Sequence, residues 1–130
     1  MSDIIDRVWP ELQEALRALP KDENGRGILE VGLSSRKSVN KVKVEKKHLV
    51  RCSSGPNSVD RPIPADDFRG FAREAIESPS RQFCITGEGM KRAKHVKRGG
   101  RGSFVCTALS LLPYFAYSEG QILEYLEDKT

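Results

Sequence analysis

The hydrophobic period of this chain changes along its length, and that change restricts the fold more than any single residue does. Ile5, Val8, Trp9, Leu12, Leu16 and Leu19 recur at three- and four-residue steps, the spacing that lines one face of a helix. From Val39 to Cys52 the step shortens to two: Val42 and Val44 alternate with Lys41, Lys43 and Glu45, as on a half-buried strand. The helical step returns at Phe68, Phe71, Ala72, Ala75 and Ile76. A chain of 130 residues carrying both periods is expected to fold as α+β, as one domain or as two small subdomains sharing a core.

Prolines, glycines and polar runs set the expected boundaries. The first helix covers 3–19, with Pro10 either kinking it or starting it after Trp9, since a first-turn proline loses no hydrogen bond. Pro20 and KDENGRG end it. Strands are expected at 27–34 and across 39–52, with a turn near 45–47 that makes a small antiparallel meander. The Ser, Gly, Pro and Asn of 53–61 mark a loop. It divides a helix-plus-sheet unit (1–60) from a second unit (61–130). In the second unit Pro64, Asp66 and Asp67 suit the first turn of a helix over 64–77. A short strand at 81–86 and a helix over 88–98 follow. Gly99-Gly100-Arg101-Gly102 then turns the chain, Ser103 caps a helix ended by Pro113, and 114–126 forms a hairpin around Ser118-Glu119-Gly120.

Charge is segregated. The net charge is only +4, but 36–51 holds seven basic residues against Glu45, and 89–118 holds six basic residues and no acid. Those six, Lys91, Arg92, Lys94, Lys97, Arg98 and Arg101, fall within eleven residues. A dense basic run feeding a helix through a glycine turn is expected to grip a polyanion. Lys41, Lys43, Lys46 and Lys47 offer a secondary basic surface.

The order helix, strand, helix, glycine turn, helix, hairpin in 61–130 resembles the winged-helix family of DNA-binding domains, over roughly half the chain and by element order rather than by a diagnostic motif. The resemblance implies a three-helix core closed by a hairpin wing, with the 103–112 helix against the major groove. Ser103, Cys106, Thr107 and Ser110 would then face outward, Ser103 and Thr107 being the contact residues. None of these is an Arg, Asn or Gln able to make paired contacts with a base edge, so phosphate contacts and weak sequence preference are expected. The sequence therefore points to a non-enzymatic nucleic-acid-binding protein, regulatory or accessory, taking double-stranded DNA in preference to RNA.

Two other classes remain open on sequence alone. One is a protein-interaction adaptor, a complex subunit or a homodimer, docking through Trp9, Tyr114, Phe115 or Tyr117. The other is a magnesium-dependent nuclease, because Glu45-x-Lys47 with Asp22 upstream resembles the layout of restriction-type nucleases. Cys52, Cys84 and Cys106 form no C-x-x-C pair, and neither His48 nor His95 stands at metal-ligand spacing from them. No metal site, cofactor or disulfide framework is therefore expected. The acidic start lacks a secretory pattern and no stretch approaches about 18 apolar residues, so a cytoplasmic protein without membrane contact is expected, or a nuclear one in a eukaryote.

Overall fold

A computed structural model describes residues 3–31, 38–52, 60–85, 102–118 and 121–129. Among them, α1 (Asp3–Arg17) is followed by four strands, β1 (Gly27–Val31), β2 (Ser38–Val44), β3 (His48–Cys52) and β4 (Arg61–Pro64). Then come α2 (Ala65–Glu77), β5 (Gln82–Cys84), α3 (Gly102–Leu109), β6 (Phe115–Ser118) and β7 (Ile122–Tyr125), with a last 3-10 turn over Glu127–Lys129. The architecture is α+β with two antiparallel sheets, ordered β1-β2-β3-β4 and β5-β7-β6.

The apolar stripe of α1 explains its position. Val8, Trp9, Leu12 and Leu16 are buried while Asp6, Arg7, Pro10 and Glu14 are exposed. The helix runs through Pro10, which lies on the solvent side. In the first sheet the period-two pattern holds: Leu29, Val42, Leu49 and Ile63 point into the core. Lys41 and Lys43 take the opposite face of β2.

The sequence alone predicts a loop over 53–61 that leads directly into a helix. Instead, 61–64 forms β4, pairing with β3 through Leu49↔Ile63 and His48↔Pro64. Arg-Pro-Ile-Pro hides this strand because it alternates over only four residues. As an edge strand, β4 tolerates two prolines, whose missing N–H groups need no partner. The division at 60/61 thus passes through one sheet. A single buried cluster joins α1, the first sheet, α2, α3 and the second sheet.

Helix α3 also departs from the sequence expectation. It begins at Gly102 rather than at a Ser103 cap. A side chain at Gly102 would sit 3.1 Å from Ile85 Cδ1, so this glycine serves close packing. Phe104 through Leu109 are all buried, Cys106 at 0 % exposure and Thr107 at 9 %. The helix packs against α1, α2, β1 and β6, leaving no face of 104–109 for a groove. The 88–98 helix and the 99–101 turn expected before it lie outside the described residues.

Candidate nucleic-acid interface

The best-defined charged surface is the β2–β3 turn and the helix start beside it. Glu45 N–H donates to His48 O at 3.0 Å and closes the turn. The turn carbonyls are then taken from inside the molecule. Trp9 Nε1 donates to Lys46 O at 2.9 Å, Gln13 Nε2 donates to Glu45 O at 2.9 Å, and Ala65 N–H donates to Lys47 O at 2.9 Å. With three successive carbonyls anchored to α1 and α2, the Lys46 and Lys47 side chains are left exposed. These bonds tie the turn to both helices and fix its direction.

The pairing of β3 with β4 carries the start of α2 to this turn. Between them lies a pocket of about 270 Å³ lined by Trp9, Lys46, Lys47, Ala65, Asp66 and Arg69. Arg69 pairs with Asp66 at 2.6 Å across the helix surface, where the Asp66 side chain is 85 % exposed. Pro64 stands at the helix cap position and supplies no side-chain cap. The indole of Trp9 is 4 % exposed and packs on Phe68, ring centres 5.6 Å apart.

The expected basic residues divide into three groups. Lys91, Arg92, Lys94, Lys97, Arg98 and Arg101 lie outside the described residues. Lys43, Lys46 and Lys47 are exposed and form no ion pair among the described residues. Lys41 is partly spent, its Nζ lying 3.7 Å from Asp22 Oδ2. Arg51, on the inner face of β3, donates to Asn40 Oδ1 at 2.9 Å and lies over the Phe104 ring at 5.0 Å.

The α3 contact residues are corrected by their surroundings. Ser103 is half-buried and its Oγ is 3.0 Å from Tyr117 Oη. Thr107 Oγ1 is enclosed with no hydrogen-bond partner among the described residues. Neither presents a free group to a base. The aromatic face of the adaptor reading is likewise internal. Trp9, Tyr114 and Phe115 are at most 4 % exposed. Tyr117, half-buried, is held by Ser103, and burial raises its hydroxyl pKa. Tyr114 Oη donates to Glu11 Oε1 at 3.1 Å, and burial, with Glu11 adding to it, pushes its pKa up.

The nuclease layout finds its acid occupied. Asp22 Oδ1 accepts the backbone N–H of Asn24 (2.9 Å) and Arg26 (2.8 Å), and Oδ2 faces Arg26 Nε (3.2 Å) and Lys41. The Arg26 N–H, more than any other group, holds this carboxyl below its ordinary range. A side chain committed to shaping a turn in this way has little left for a cation. Among the described residues no group of three His, Cys, Asp or Glu could hold a metal ion. Cys52, Cys84 and Cys106 form no disulfide with one another, and burial raises the Cys106 thiol pKa, the condition of an unreactive thiol. No helix among the described residues is long and apolar enough to cross a membrane. Compared with known proteins, the chain matches no family model, no curated protein and no solved structure.

Arg69 and the pocket were not legible in the sequence. Their position depends on β4, which brings residue 65 against residue 47. The only local signal was Asp66 three residues before Arg69 on a helix.

Proposed function

We propose that this protein is a non-enzymatic nucleic-acid-binding protein, regulatory or accessory, that grips phosphates with little sequence preference and takes duplex DNA ahead of RNA. The observation that carries this reading is the rigid basic turn. Lys46 and Lys47, on a turn whose carbonyls are anchored to two helices, and Lys43, near the end of β2 before it, are exposed without ion-pair partners among the described residues. Cations presented this way lose little conformational freedom in the backbone beneath them, and phosphate contacts release condensed counterions. The basic run at 91–101 supports the same reading by composition. The enclosure of α3 removes the element that would have read bases. What is left is phosphate contact, which positions a protein but carries no sequence information. The winged-helix likeness stays a likeness of element order in this reading, without a groove-reading helix. Three thiols free of disulfides suit a cytoplasmic or nuclear setting.

The test is a salt titration of binding to duplex DNA and to RNA. Wild type is compared with Lys43/Lys46/Lys47→Ala and with Lys91/Lys94/Lys97/Arg98→Ala. Each phosphate contact contributes about 0.9 to the slope of log K against log salt on B-DNA, so the first variant should lose about 2–3 of that slope. Absence of binding at low salt, or slopes unchanged in both variants, would overturn the proposal.

A further inference from the structure

The pocket at the β2–β3 turn differs from the open surface around it in charge and shape. It holds about 270 Å³, near the lower limit of about 300 Å³ for ligand pockets. Its lining has three cations, Lys46, Lys47 and Arg69, against one anion, Asp66. The excess of two positive charges matches a phosphate monoester, which carries about −1.5 to −2 at neutral pH. A phosphodiester inside a strand carries only one negative charge. Asp66 and Arg69 form a surface pair, which holds Arg69 weakly, so the guanidinium is available to a second oxyanion. Arginine offers that oxyanion two parallel N–H groups, and the lysines act as point charges beside them. Trp9 closes the inner side and, through Lys46 O, fixes the turn that carries both lysines. The cavity and its cations single out the place.

We propose that this pocket seats a terminal phosphate monoester, at the end of a nucleic-acid strand or on a free nucleotide. The strand-end form rests on the nucleic-acid reading above. It turns a general phosphate grip into recognition of an end.

Trp9 is the only tryptophan in the chain, so its fluorescence reports on the pocket directly. A short duplex would be titrated with a 5′-phosphate, with a 3′-phosphate and with hydroxyl ends, beside a mononucleotide, all at one salt concentration. At least one phosphorylated end should bind about tenfold tighter than the hydroxyl end, as charge-assisted hydrogen bonds predict, and should shift Trp9 emission. An Arg69→Ala variant, checked for its fold by circular dichroism, should lose most of that preference while keeping its affinity for hydroxyl-ended duplex. If the mononucleotide shifts Trp9 and no duplex binds, the pocket stands and the nucleic-acid reading falls. If all duplex ends bind within about twofold of one another and the mononucleotide leaves Trp9 unchanged, the pocket proposal is overturned. Duplex binding that persists in that case leaves the wider reading intact.

Discussion

Helix α3 and the β2–β3 turn use polar residues in opposite ways. In α3, Ser103, Cys106 and Thr107 have the size and polarity of a surface that could approach DNA, yet 104–109 are buried. Elements on several sides enclose the helix, and small side chains let them come close. In the turn, the backbone faces inward and the lysines face outward, because α1 and α2 claim its carbonyls. A small polar residue thus says little about exposure until its neighbours are known, whereas a cluster of lysines stays outside in either case.

The largest test of this contrast is Phe104→Ala. Phe104 is 1 % exposed and supports the Arg51 guanidinium. Its loss should cost about 3–5 kcal/mol, read by urea unfolding. A cost below about 0.5 kcal/mol, the range for surface sites, would put α3 back on the surface. Next comes Trp9→Phe, which keeps most of the packing but leaves Lys46 O without its indole donor. About 1–2 kcal/mol should be lost, together with some nucleic-acid affinity as the turn loosens. By comparison, Lys43/Lys46/Lys47→Ala should change stability by no more than about 0.5 kcal/mol while taking most of the turn's affinity. Equal stability losses in the two variants would mean that the lysines are structural.

Asp22 sharpens the same side of the contrast through pH. Its folded pKa lies below the ordinary 3.8, chiefly because of the Arg26 N–H. The stability it contributes is therefore present above 3.8 and is lost as pH falls through the depressed folded value. Asp22→Asn should be less stable than wild type at neutral pH, and the two should converge in strong acid. A gap that stays constant down to the lowest pH would show that the carboxylate charge is not what the turn uses. The same substitution releases Lys41 from its ion pair, so affinity for nucleic acid should rise slightly.

Much of the fold was legible because period and punctuation agreed. The α1 stripe, the Val42 and Val44 alternation and the Phe68–Ile76 face each predicted an element of the right type. The failures have physical causes. β4 is too short and too rich in proline to show a period, and only its pairing with β3 reveals it. The burial of α3 comes from packing by elements distant in sequence. So does the join between Tyr114 and Glu11, 103 residues apart. The pocket needed both: it exists because β4 delivers Arg69 to a turn whose lysines were visible from the start.

Thr107→Val gives a small effect and the cleanest reversal of sign. Thr107 Oγ1 is buried with no partner among the described residues, so the folded state bears the cost of desolvating a hydroxyl without a hydrogen bond in return. Valine keeps the branched shape and has similar helix propensity. Removing the hydroxyl should therefore raise stability by up to about 1 kcal/mol and leave nucleic-acid binding unchanged. On the groove-facing reading the same substitution would do the opposite, leaving stability nearly constant and weakening binding. One variant, measured in unfolding and in a binding titration, thus separates a core helix from a reading helix without disturbing a single charge.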